Sequence, residues 1–446
     1  MRKIVFTFLI VLFVTTNNTQ AQGINFEHIS LDEALTKAAS EDKLVFIDFY
    51  TVWCAPCKVM SKNIFPLPEV GEAYNKNFIS IKLDAEKEGA LAAKKYNVSS
   101  YPTLAFINSS GKLVYKDTGS QSAESFINLG KKAIASLSSE FSLEKLQQEF
   151  PNKQNDEHFL KIYVEKMIEY GQSPVHGIEA WLTVQTEIKE DDVDMMEYLM
   201  KHNNYLLLNS KAEQILKANF DEYMDIATRA EERELKTFHL KFIKNTRDFA
   251  IKTKDAELMR SFIDTWKQLP DRYRRGNPTE YELIYLAILQ DYDGYKKLAQ
   301  EYISGIINAK PITQIQKEDA EYFKKFQKNY KNNYSFSREK TMEKLKSHGK
   351  TAGENIKTIT KIGHTYLKLT KKKKDYKVLE NWIEYGYELS PNSFYIDNLK
   401  ADMLYKKGKT KKAIALKKLA LEKWPEDKVR PSKLYELEKM QKGETL

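Results

Sequence analysis

A chain of 446 residues is too long for one ordinary core, and 42% hydrophobic content with 26 tyrosines and 22 phenylalanines excludes a disordered polypeptide. The formal net charge of +9 is dispersed over helix-like segments in which lysines mix with glutamates, the pattern of a solvated surface. No nucleic-acid partner is therefore expected.

The chain opens with Arg2 and Lys3, an apolar stretch from Ile4 to Val14, and a polar stretch closing on Thr19-Gln20-Ala21. Basic, apolar and small-residue regions in that order predict a cleaved secretory signal over residues 1–21. The apolar run is too short to cross a bilayer comfortably. No cysteine follows it to carry a lipid anchor. A periplasmic or secreted protein is expected.

Beyond it the pattern mixes helices and strands. Leu31 to Ser40 reads as a helix, and Lys43 to Tyr50 as a central strand buried on both faces, interrupted by Asp48. A helix follows over Ala55 to Asn63, with Pro56 in its first turn. Then come a strand (Phe78–Asp84), a helix (Gly89–Tyr96), and two strands (Tyr101–Asn108 and Lys112–Asp117) joined by Ser109-Ser110-Gly111. A helix over Ser122 to Leu137 closes an α/β domain spanning 22–137.

Only two cysteines occur, Cys54 and Cys57. A bridge so local removes little entropy from the unfolded chain, and a structural zinc site needs more ligands than these two. Redox chemistry remains, and it requires neither metal nor cofactor. Cys54 falls where a buried strand gives way to a helix. The unpaired N–H groups and dipole of the helix start favour a thiolate there. Cys57 is one helical turn on, within reach of Cys54. Cys54 is thus expected to attack a client disulfide and Cys57 to resolve the mixed disulfide.

The segment Asp48-Phe49-Tyr50-Thr51-Val52-Trp53-Cys54-Ala55-Pro56-Cys57-Lys58 resembles the active-site segment of thioredoxins, with Ala55 in place of the familiar glycine. Tyr101-Pro102-Thr103-Leu104 is similar to that family's cis-proline loop, and Gly111 and Gly119 to its later glycines. The resemblance implies that Asp48 is the buried carboxylate relaying a proton to or from the resolving cysteine. It implies that Trp53 packs beside the redox centre and shapes the docking surface, and that a cis Pro102 sets the Tyr101 backbone where an extended client segment can bond. Ala55 and Tyr101 adjoin the reactive thiol, where small changes tune potential and partner choice. In many thioredoxins a lysine neighbours the buried aspartate. By strand spacing Ser80 falls at that place, and Lys82, two residues further along the same face, is the candidate substitute for that lysine.

The rest of the chain reads as helix. Phe159–Glu169, Ala212–Ile226, Glu232–Lys252, Asp255–Leu269 and Thr279–Ile307 carry apolar residues at intervals of three and four. Toward the end, Ala401, Gly408, Ala413, Ala420 and Pro425 recur in a register resembling tetratricopeptide repeats, with Gly386 and Pro391 one unit earlier. Pro431 to Lys442 suits a capping helix. The expected organisation is a helical domain over 138–350, either divergent repeats or an unrelated compact helical fold, and repeat-like helical pairs over 351–446. Lysines 371 to 374 read as solvated surface, and Tyr205, Tyr223 and Trp266 as core.

Together these features predict an exported thiol–disulfide oxidoreductase, a reductase of client disulfides supplied with electrons by a membrane donor. The helical region would bind or present clients through protein or peptide contacts. The alternative is a scaffold built on the helical repeats, its first domain a docking module. Peroxide reduction finds no support, since no third cysteine is present.

Overall fold

The structure is a computed structural model, and it describes residues 23–98, 100–138, 142–186, 192–330, 341–342, 345–424 and 430–446. The expected signal segment and Pro425 lie outside the described residues. The chain divides into two compact units, one ending at Leu143 and one running from Glu144.

The first unit is built on a sheet of four strands in the order β2-β1-β3-β4. β1 (Leu44–Tyr50) pairs in parallel with β2 (Phe78–Asp84) and antiparallel with β3 (Thr103–Ile107), which pairs with β4 (Leu113–Thr118). The hairpin between β3 and β4 turns at Gly111, whose φ of +76° suits glycine. The apolar run of β1 reflects burial on both faces. Val45, Ile47 and Phe49 face Ala34 and Ala38 of α1 (Leu31–Glu41) and Ala92 and Ala93 of α4 (Ala90–Lys95). Phe46 faces the other way, into an aromatic cluster with Tyr74, Phe106 and Phe126 at ring separations of 5.1, 5.2 and 5.5 Å. Tyr74 comes from α3 (Pro68–Asn75) and Phe126 from α5 (Ala123–Ser138).

Most of these elements sit where the sequence predicts them. The exception is α3, although Pro68 at its first position and Glu69 in its first turn are helix-start signals.

Among its described residues the second unit contains helices and no strand. Several long periodic stretches are broken in two. The periodic stretch Thr279–Ile307 forms Pro278–Ile288 and Tyr292–Ala309. Gln290 adopts φ +60° between them, and the Asp291 side chain caps the second by accepting from the Gly294 N–H. Asn219 likewise divides Lys211–Ala218 from Phe220–Ile226, and residues 236–237 divide Arg229–Leu235 from Phe238–Thr253.

The final part is a series of helices, Thr351–Leu369, Lys373–Leu389, Phe394–Lys406, Thr410–Lys423 and Arg430–Lys442. Ala401, Ala413 and Ala420 are fully buried. Gly386 lets the Ile396 side chain approach so closely that an added Cβ would stand 2.3 Å from Ile396 Cδ1. Among the described residues no helix is long and apolar enough to cross a membrane.

Candidate active site

β1 carries Asp48 into the interior, and the chain leaves the sheet at Tyr50 through a tight turn in which the Cys54 N–H donates to the Thr51 carbonyl. Cys54 is the N-cap of α2 (Ala55–Asn63), with extended backbone. Its sulfur receives the Cys57 N–H at 3.1 Å, one of the unpaired donors of the first turn. Pro56 takes the second helical position, where a missing N–H does no harm. Cys54 and Cys57 form a disulfide, and both are almost wholly buried. Burial therefore does not tell the two sulfurs apart. The helix start does, because it favours negative charge at Cys54.

Asp48 is fully buried on the same sheet face as Phe46. Its partner is Lys82, directly across on β2, with Nζ 3.0 Å from Oδ2. The Lys82 ammonium also meets the Ser61 hydroxyl of α2 at 2.5 Å. It lies 4.7–5.4 Å from the ring centres of Phe26, Tyr50 and Phe65. Burial pushes the Asp48 carboxyl above the ordinary carboxylate range, and Lys82 works against that rise.

The register thus places Lys82, not Ser80, beside the aspartate. Ser80 pairs with Phe46 and is itself buried.

Around the disulfide the surface is apolar and open. Val52 and Trp53 are 46% and 40% exposed, unusual for large hydrophobic residues and suited to docking another chain. Trp53 is held in place by its indole N–H, which donates to Glu86 Oε1 at 2.9 Å. Tyr101 stands edge-on to it at 5.9 Å.

The Tyr101–Pro102 peptide bond is cis, and the Pro102 carbonyl accepts from the Gly119 N–H at 2.8 Å. Gly119 has φ +93°. Ala55 is exposed at the start of α2. The structure thus gathers Trp53, Cys54, Ala55, Pro56 and Cys57 in one turn and helix start, sets Tyr101 against Trp53, and buries Asp48 in the strand leading there.

Sequence reasoning missed Glu86, Ser61, Phe26 and Phe65. Glu86 lies 33 residues from Trp53, and no local pattern links them. Among the described residues no group of acidic, histidine or cysteine side chains could hold a metal ion.

Comparison with known proteins agrees with this geometry. Residues 31–134 match the thioredoxin-like domain family. The chain is 34% identical over 89 residues to the thioredoxin-like protein slr0233 of Synechocystis, covering 20% of this chain and 80% of that one. It is 39% identical over 77 residues to Thioredoxin-T of Drosophila melanogaster, covering 17% of this chain and 45% of that protein. A candidate disulphide-isomerase from Bacteroides thetaiotaomicron, solved in solution, is 46% identical, with 27% of this chain and 98% of that one covered at a TM-score of 0.24. The chain belongs, through its first unit, to the thioredoxin-like family. It spans less than half the length of Drosophila Thioredoxin-T, and its helical unit lies beyond the family match.

Proposed function

We propose that this protein is an exported thiol–disulfide oxidoreductase acting as a reductase of client disulfides, its helical unit binding or presenting the client. The observation that carries the proposal is the Cys54–Cys57 disulfide at the start of α2, next to a strand that buries Asp48.

In the reduced enzyme the Cys54 thiolate attacks one sulfur of the client disulfide. A mixed disulfide forms and the client's other sulfur leaves as a thiolate. Asp48, a carboxyl with a raised proton affinity, takes the Cys57 proton. The Cys57 thiolate then attacks Cys54 Sγ, releasing the second client thiolate and closing the Cys54–Cys57 disulfide. Two electrons have passed to the client, and the enzyme needs a dithiol donor, at the membrane in an oxidising compartment, to begin again. Trp53 and Tyr101 form the surface on which the client lies. The signal-like segment of residues 1–21 supports export. The paired helices toward the end of the chain support a tetratricopeptide-like, protein-binding unit.

The test is equilibration of the Cys54–Cys57 couple against glutathione and dithiothreitol buffers. A potential near the thioredoxin value of about −270 mV supports a reductase, and one near about −120 mV overturns that direction in favour of disulfide donation. Cys54→Ser should abolish client reduction. A variant that keeps the full biological effect would return the protein to a scaffold role.

A further inference from the structure

The helical unit holds a pocket of about 310 Å³ between the Phe238–Thr253 helix, the Ala256–Gln268 helix and the loop that follows. That volume is at the lower end for sites that enclose a small ligand. The floor is apolar, made by Ile243, Phe262 and Trp266, all buried. The rim carries Lys244, Arg247, Arg272 and Arg275, and no carboxylate is among the lining residues.

The loop over the pocket is firmly built. Trp266 Nε1 and the Tyr281 hydroxyl both donate to the Arg275 carbonyl, at 3.0 and 2.7 Å. Gly276, at φ +92°, presses so close to Tyr281 that a Cβ would stand 2.1 Å from its hydroxyl oxygen, so no other residue fits. These contacts fix the Arg275 main chain, and with it the course of the loop, beside an aromatic floor before any ligand arrives.

The charges on the rim are not equivalent. Arg247 and Lys244 share Asp248, at 2.7 and 3.5 Å, and Arg274, outside the pocket, pairs with Asp271. Among the described residues Arg272 and Arg275 have no carboxylate partner, and the Arg272 guanidinium lies over the Tyr273 ring at 4.7 Å. A guanidinium is a planar fork suited to two-point binding of a carboxylate.

Apolar floor and cationic rim border the same small volume, so they suit a ligand group that is apolar and anionic at once. A chain-terminal residue is such a group, carrying side chain and carboxylate on a single Cα. A free amino acid would bring an ammonium group among four cations. In a peptide that nitrogen is a neutral amide.

We infer that this pocket binds the C-terminal carboxylate of a peptide ending in an apolar residue. The terminal side chain would rest on Phe262 and Trp266, and the carboxylate on Arg272 and Arg275. The inference rests on the helical unit being the client-binding part of the protein, and it names the class of client segment bound.

The test is fluorescence anisotropy with the full mature chain and a labelled hexapeptide ending in Ala-Phe, as free acid and as C-terminal amide. The acid is expected to bind at least about tenfold more tightly, the size of one charge-assisted hydrogen bond. Arg272→Ala combined with Arg275→Ala should reduce the acid to the affinity of the amide, whereas Arg274→Ala should not. Both side chains are exposed, so unchanged helical circular dichroism and melting should accompany the loss.

Equal binding of acid and amide, no binding of the acid, or full binding by the double variant overturns the inference. So does a concentration-dependent dimer in sedimentation that the acid peptide fails to dissociate, which would seat a second copy there. Reduction of disulfide clients that still requires the helical unit, with no peptide bound, would sink the pocket and leave the client-binding role standing. Peptide binding that survives in a chain whose dithiol does not cycle would do the reverse for the oxidoreductase.

Discussion

Asp48 of β1 stands directly opposite Lys82 of β2, a fully buried carboxylate 3.0 Å from an ammonium that is itself surrounded by aromatic rings. The lysine offsets only part of what burial costs the charged carboxylate, since the carboxyl remains above the ordinary range. The pair therefore retains a proton acceptor of raised affinity, which a carboxylate in water would not be.

That balance makes stability depend on pH with a definite sign. A carboxyl whose folded-state value is raised binds more protons folded than unfolded above its ordinary value of 3.8. Its contribution is fully present below that value and is lost as pH rises through the folded-state one. Asp48→Asn stays neutral and escapes the loss. Denaturant melts of the variant should gain on wild type as pH rises above about 4, while its disulfide-exchange rate near neutrality falls at least about tenfold. Parallel stability curves for the two proteins would refute the assignment.

Lys82 should then set where the exchange reaction titrates. Lys82→Met removes the ammonium that lowers the Asp48 value and leaves a chain able to fill the space among Phe26, Tyr50 and Phe65. The pH–rate profile should move to higher pH, whereas Lys82→Arg should keep it close to wild type. A profile that does not move in Lys82→Met would show that Asp48 is not the titrating base.

How far this site can be read in the sequence depends on whether a residue's role is local. Asp48 is legible because it is the lone acid in an apolar strand, and Cys54 because a strand gives way there to a helix. The lysine is legible only as a substitute for Ser80, because strand register is a tertiary property. Spacing along the chain points to Ser80, and only the pairing of Leu44 with Phe78 brings Lys82 opposite Asp48. Glu86 has no local mark, since its role is to hold an indole across the site. In the helical unit, apolar periodicity runs unbroken through Thr279–Ile307, whereas the backbone divides there at Gln290 and starts a second helix capped by Asp291. Trp266 reads correctly as core. Its place on a pocket floor depends on the loop that Gly276 allows.

His202 gives the helical unit its own pH limit. The ring is buried against Tyr198 at 4.5 Å, Nδ1 has no hydrogen-bond partner, and burial lowers its value from 6.5 to about 4. With its folded value depressed, the unfolded chain binds the extra proton, so the neutral ring's contribution is complete above 6.5 and is lost as pH falls toward about 4. The loss amounts to roughly 3 kcal/mol. His202→Phe keeps the ring contact without the proton. Its unfolding midpoint should be nearly flat over that window where wild type falls, and a variant that falls equally would place the acid sensitivity elsewhere.

Two glycines in this unit should respond oppositely to the same substitution. Both lie inside helices, where alanine is intrinsically better by about 0.5–1 kcal/mol. At Gly305 an added Cβ meets nothing within 4 Å, so Gly305→Ala should realise that gain. At Gly386 the Cβ would stand 2.3 Å from Ile396 Cδ1 and 2.8 Å from its Cγ1, and Ile396 is fully buried. Overpacking of a filled core costs about 1–3 kcal/mol, more than the helix gains, so Gly386→Ala should lower the melting temperature while Gly305→Ala raises it. If both raise it, the Lys373–Leu389 and Phe394–Lys406 helices do not cross as closely as described, and the small residue at 386 reflects no packing need.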